Sequence, residues 1–230
     1  MKKMTEELLS WYDRKNYNMP WRIDRNPYRI WISEIMLQQT QVKTVMPYYE
    51  KWMTRYPTTK ILAESDIEDV LKSWEGLGYY RRAYNIKKSA EYIWNNLQGK
   101  FPKHDALKKL PGIGDYTYSA IMSIAFGETI PAIDGNVKRV FSRIFEQNFI
   151  KASDIRNLSK KIMEYMPEER PGCFNQAIMD LGREVCKPKN PKCSSCPVDT
   201  ECKALINDST SKYPKKVIRK KTPVYDVVVA

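Results

Sequence analysis

Leu110-Pro-Gly-Ile-Gly-Asp115 sets the reading of this chain. A proline followed by two glycines interrupts a helix, yet both flanks are patterned as helices, short over 105–109 and longer over 116–126. Glycine at 112 and 114 permits a tight turn with no side chain in the way. The helix that follows offers unpaired N–H groups and the positive end of its dipole to an anion. Leu110, Gly112 and Gly114 are therefore candidate contacts to a phosphate, although an ordinary helix–helix turn has the same pattern.

Helical patterning continues outward from this turn. Upstream, Ala83, Ile86, Ala90, Ile93 and Trp94 share one face of a predicted helix over 79–97. Gly76-Leu-Gly78 separates it from a helix carrying Val70, Leu71 and Trp74, which a capping box over Ser65-Asp-Ile-Glu68 would open. Asn26-Pro27, a capping residue and then proline at the first helical position, opens an apolar helix with Ile30, Trp31 and Leu37. Downstream, Val137, Val140, Phe141 and Ile144 mark another helix, followed by Ile155, Leu158, Ile162 and Tyr165, and by Phe174, Ile178 and Leu181. Strand-like alternation is almost absent before 224–229, which reads as the first strand of a further domain. The fold class is all-α.

Of 230 residues, 42% are hydrophobic and 29% charged, which excludes a disordered chain. The apolar run over 120–126 is far shorter than the roughly 20 residues a bilayer demands. Met1-Lys-Lys-Met-Thr-Glu-Glu carries no apolar export core, so a cytoplasmic protein with no membrane partner is expected. Lysine and arginine number 39 against 27 acidic residues, a net charge of +12 that suits a polyanionic partner. Residues 183–221 hold 11 Lys/Arg and 4 Asp/Glu, and 212–222 reads as a basic linker.

Four of the five cysteines, Cys186, Cys193, Cys196 and Cys202, crowd together as C-x6-C-x2-C-x5-C. Secreted disulfide frameworks spread their cysteines, so this foursome reads as a metal site. Four thiolates suit zinc or a [4Fe–4S] cluster, and a single C-x2-C pair fits the cubane better than a two-knuckle zinc site. The intervening Lys187-Pro-Lys-Asn-Pro-Lys192 would project Lys187, Lys189 and Lys192 as a stiff loop, either simply solvated or held against phosphates. Cys173 stands apart and reads as a buried structural thiol.

Two carboxylates stand out. Glu34 lies about two turns into the helix opened by Pro27, on the stripe of Ile30, Trp31 and Leu37. A carboxyl there keeps its proton toward neutral pH, as a general acid requires, unless it snorkels out or finds a cation. Asp134 opens the helix carrying Val137, where an ordinary N-cap is also expected. Backbone N–H groups at that position favour the anion. One neutral and one charged carboxyl is the asymmetry used to cleave glycosidic bonds.

Ser33-Glu-Ile-Met-Leu-Gln-Gln-Thr-Gln41, Gly76-Leu-Gly-Tyr-Tyr80, Leu110-Pro-Gly-Ile-Gly114, Asp134-Gly-Asn-Val137 and the cysteine loop stand in an order that resembles the endonuclease III superfamily of DNA glycosylases, with its helix–hairpin–helix. Within it, the adenine-removing branch is the nearest likeness, over roughly residues 6–215. The resemblance implies two helical lobes around a DNA-binding cleft: a six-helix barrel over 22–130, and a [4Fe–4S] lobe from 1–21 and 131–211, with 212–230 leading to a further domain. It implies base flipping of adenine opposite 8-oxoguanine or guanine. Glu34 would protonate the base, Asp134 would stabilise the sugar cation or capture it as a transient covalent intermediate, Tyr116 would tune Glu34, and Asn136 would order Asp134 or water. Gln39, Leu77 and Tyr79 would wedge the duplex, and Trp21, Arg22, Leu37 and Gln176 would line the adenine pocket.

Bifunctional members of the superfamily carry a lysine two residues after the second hairpin glycine. Here that residue is Tyr116, which implies a monofunctional enzyme. The implied partner is double-stranded DNA with an adenine mispair, bound by a monomer, in the nucleoid if the source is bacterial. A thymine glycosylase acting on G:T, or a non-catalytic DNA-binding module with a structural metal, are the competing expectations.

Overall fold

The structure, a computed structural model, describes residues 3–15 and 17–215. Among the described residues it is helical with no strand. The strand expected over 224–229, and most of the basic linker, lie outside the described residues. The helices are α1 (Lys3–Lys15), α2 (Pro27–Met36), α3 (Val42–Arg55), α4 (Thr59–Glu64), α5 (Ile67–Trp74), α6 (Arg81–Asn96), α7 (His104–Lys108), α8 (Asp115–Phe126), α9 (Gly135–Ile144), α10 (Ala152–Met163), α11 (Pro171–Glu184) and α12 (Lys203–Ile206).

Local chemistry sets the helix starts. The Asn26 side-chain oxygen accepts from the N–H groups of Tyr28 and Arg29 at 3.0 and 3.3 Å, with Pro27 as the first helical residue. At α5 the expected capping box is corrected. Asp66, not Ser65, is the N-cap, and it accepts the Glu68 N–H at 2.7 Å. Ser65 instead ends α4 and donates to the Ile61 carbonyl at 2.6 Å. The carboxylate is the better partner for the positive helix end, so the helix starts one residue later. Likewise α6 begins at Arg81 rather than 79, because Tyr79 takes left-handed backbone with φ 48°.

Two hydrophobic cores organise the chain. The first gathers Trp31, Trp52, Trp74, Ile86 and Ile121 from α2–α8, and the Trp52 and Trp74 rings meet edge to face at 5.5 Å. The second gathers Leu8, Phe141, Leu158, Phe174 and Leu181 from α1 and α9–α11. Each such side chain, removed from water, contributes about 1.5–3 kcal/mol. Helix α8 packs on both α2 and α11, so it joins the cores and lays their facing surfaces on either side of one cavity.

Candidate active site

Glu34 sits on the cavity face of α2 and is only 7% exposed. The Tyr116 hydroxyl, from the first turn of α8, donates to Glu34 Oε2 at 3.0 Å. Burial pushes the Glu34 carboxyl up to about 7, against the lowering effects of Tyr116 and Arg22, while Asp134 pushes it further up. Burial also raises the Tyr116 hydroxyl well above the usual tyrosine range, with Glu34 adding to it, so Tyr116 remains a donor. Its hydroxyl also lies 3.5 Å from Met179 Sδ.

Asp134 caps α9 with Oδ1, which accepts the Val137 N–H at 2.7 Å. Oδ2 accepts from Asn136 Nδ2 at 2.9 Å. Arg139 in turn donates to Asn136 Oδ1 at 2.9 Å, to the Gly182 carbonyl at 2.7 Å and to the Cys186 carbonyl at 2.8 Å. The carboxylate orientation is thus tied through two side chains, Asn136 and Arg139, to α11 and to the start of the cysteine loop. Gly182 leaves room for this: a Cβ there would meet Asn136 Cβ at 2.7 Å.

One cavity of about 580 Å³ brings together Glu34, Asp134, Tyr116 and Asn136 with Trp21, Arg22, Leu37 and Gln176. That volume lies within the range of sites that enclose a small molecule, roughly 300–1,000 Å³. The sequence reading missed its ionic wall. Asp180, 2% exposed, accepts from Arg22 at 2.6 and 3.3 Å and pairs with Arg183 at 3.0 Å. Burial opposes the Arg22 charge, but Asp180 outweighs it and holds the guanidinium above its ordinary range. The Tyr12 hydroxyl donates to Gln176 Oε1 at 3.0 Å. Gln176 and Asp180 stand four residues apart on α11, a spacing that could have flagged them as one face.

Outside the cavity, Gln39 is exposed and Tyr79 is 63% exposed, both with left-handed backbone. Leu77 differs from expectation: at 5% exposure it belongs to the first core, anchored there by its apolar neighbours rather than presented outward. In the hairpin, Leu110 is buried and Gly112 turns the chain with φ 83°. Gly114 caps α8 with no side-chain hydrogen bond, which leaves the N–H groups of that first turn open.

Cys186, Cys193, Cys196 and Cys202 are free thiols lining one hollow with Arg143, Pro191 and Leu205. Among the described residues no three His, Cys, Asp or Glu side chains converge as ligands of a single ion would. Three of the four sulfurs have a donor beside them. Arg143 Nη1 lies 3.2 Å from Cys186 Sγ, and backbone N–H groups of Val198 and Leu205 reach Cys196 and Cys202. Burial pushes the Cys196 thiol up to about 12, so a thiolate there calls for positive charge in the hollow. Four thiols on one hollow, three of them with N–H donors at sulfur, are the donor set a polynuclear cluster takes. Lys187, Lys189 and Lys192 are exposed on the loop between the first two cysteines. Cys173 is half-buried beside a second cavity, not enclosed as expected.

Two helical cores around a shared cavity, with a glycine hairpin opening a helix beside it, define a helix–hairpin–helix protein. The chain belongs to the HhH-GPD superfamily of base excision DNA repair proteins, whose family model matches residues 32–165. An adenine DNA glycosylase from Buchnera aphidicola subsp. Schizaphis graminum is 41% identical over 229 residues, 96% of this chain and 66% of that protein. The chain thus spans just under two thirds of that relative. A solved thermostable thymine-DNA glycosylase superposes with a TM-score of 0.79 at 27% identity, covering 88% of this chain and 95% of that one. A non-covalent endonuclease III–DNA complex gives 0.71 at 25% identity, covering 90% and 98%. No helix among the described residues is long and apolar enough to cross a membrane.

Proposed function

We propose that this chain removes adenine mispaired with 8-oxoguanine or guanine, as a monofunctional glycosylase. The observation that carries the reading is a neutral-leaning Glu34, held by Tyr116, on the same cavity as an Asp134 whose two oxygens each accept a hydrogen bond. The adenine leaves the stack and enters the cavity between Trp21, Arg22, Leu37 and Gln176. Glu34 gives its proton to N7. The C1′–N9 bond then breaks, its electron pair leaves with the purine, and positive charge develops on the sugar. Asp134 stabilises that charge, with its orientation kept by Asn136. Water adds at C1′ and its proton returns to the Glu34 carboxylate, which leaves an abasic site.

Gln39 and Tyr79 wedge the duplex, while Leu110, Gly112 and Gly114 present the open N-terminus of α8 to a phosphate. Lys187, Lys189 and Lys192 add further backbone contacts. The four cysteines would hold a [4Fe–4S] cluster, which would pin their loop. The two cores support a division into a barrel over 22–130 and a cluster lobe from 1–21 and 131–211. The protein would act as a monomer on chromosomal DNA, at the nucleoid if its source is bacterial.

The likeness to a thymine-DNA glycosylase favours a second reading, thymine opposite guanine. A panel of duplexes bearing 8-oxoguanine:adenine, guanine:adenine and guanine:thymine, treated with alkali after incubation, separates the two. Strand breaks at adenine that vanish with Glu34→Gln support the first reading. Breaks at thymine alone support the second, and binding without breaks leaves a DNA-binding module.

A further inference from the structure

Gln39 and Tyr79 follow different helices, yet both take left-handed backbone, with φ 56° and 48°. Side chains of L-residues avoid that region, so the surroundings must impose it. One side chain touches both segments. Arg82, in the first turn of α6, donates through Nη1 to the carbonyls of Ile35, Met36 and Gln38 at 3.0, 2.9 and 2.6 Å. Through Nη2 it donates to Thr40 Oγ1 at 3.2 Å and to the carbonyls of Leu77 and Gly78 at 3.0 and 3.2 Å. The guanidinium thus binds the chain on both sides of Gln39 and immediately before Tyr79. Its carbon lies 5.2 Å from the Trp74 ring centre and 5.5 Å from that of Tyr79.

Arg82 is 8% exposed, and the six hydrogen-bond partners above are neutral oxygens. A buried cation without a carboxylate is costly, and its retention calls for a purpose. We propose that Arg82 is a positioning residue that locks the Gln39 and Tyr79 segments into one rigid wedge, so that both enter the duplex together when adenine is extruded. The inference rests on the wedge role proposed above. Only a forked guanidinium reaches both segments at once; the ammonium of a lysine donates from a single atom.

The test uses the full chain on an 8-oxoguanine:adenine duplex, and on a duplex with 2-aminopurine in place of adenine, whose fluorescence rises on unstacking. Arg82→Lys and Arg82→Gln are both made, so that one folded variant suffices, with melting temperature measured for each. Excision under single turnover is expected to fall about tenfold or more, together with the fluorescence rise. Added to Tyr79→Ala or Gln39→Ala, Arg82→Lys is expected to cost little more, because it acts through residues already removed. A wild-type fluorescence rise in a folded Arg82 variant overturns the inference. So do defects that multiply fully in the double variants. Undiminished excision by both Gln39→Ala and Tyr79→Ala overturns the wedge reading itself.

Discussion

The Tyr116 hydroxyl and Glu34 Oε2 lie 3.0 Å apart, bridging helices far separated in sequence. This hydrogen bond favours the ionised carboxylate, whereas burial favours the acid. Burial wins, and Glu34 settles near 7, where it can hold a proton and still release it to a base.

Activity should therefore follow Glu34 ionisation. Excision measured as kcat/KM is expected to fall about tenfold per pH unit above roughly 7, and Glu34→Gln should abolish excision while leaving duplex affinity within about threefold. A wild-type rate that stays flat to pH 9 would remove the general acid from Glu34.

The same shift makes a stability prediction of definite sign. The folded value of about 7 lies above the ordinary 4.5. Below pH 4.5 both states hold the proton and nothing is lost. Between 4.5 and 7 the unfolded chain ionises first, so stability declines. Above 7 the deficit levels off at about 3 kcal/mol. Urea unfolding of Glu34→Gln should match wild type near pH 4.5 and exceed it by about that amount at pH 8.

Tyr116→Phe removes the donor that lowers Glu34. The alkaline limb of the rate profile should move to higher pH, with a plateau reduced about tenfold or less. A limb that moves down, or stays in place, would show that Tyr116 does not tune the acid.

Much of this site was legible because it is written in local pattern. Asn26-Pro27, Asp134 at its cap and the apolar stripe around Glu34 depend on neighbours within a few residues. The wall of Arg22, Asp180 and Arg183 was not, since a charged pair 158 residues apart has no periodic signature. Leu77, which the resemblance assigns to the wedge, packs in the first core. Arg139 and Arg143 carry no sequence signal either, yet both are buried and donate to carbonyls of the cysteine loop.

That loop should carry much of the salt dependence of binding. Each of Lys187→Ala, Lys189→Ala and Lys192→Ala is expected to reduce the slope of log affinity against log salt by about 0.9, with excision at saturating DNA unchanged. Purified protein should show broad absorption near ~400 nm. Cys196→Ser should lower both the absorption and the salt slope although no lysine is altered, because the loop loses its anchor. A colourless protein with the full slope would separate the lysine loop from any cluster.

Gly112 gives the most local prediction. Its φ of 83° excludes an unstrained L side chain, and a Cβ there would stand 3.0 Å from Asn85 Nδ2 and 3.3 Å from Asn85 Cβ. The amide end can swing away, but the Cβ of Asn85 is fixed by α6, so the turn itself must yield. Gly112→Ala should therefore cost about 1–2 kcal/mol of stability. It should also weaken binding to every duplex alike, since the hairpin holds phosphate rather than base edges. Equal losses on matched and mispaired duplexes, with the excision rate of bound substrate retained, are the expected result. A loss confined to the mispair would place the hairpin in lesion recognition instead.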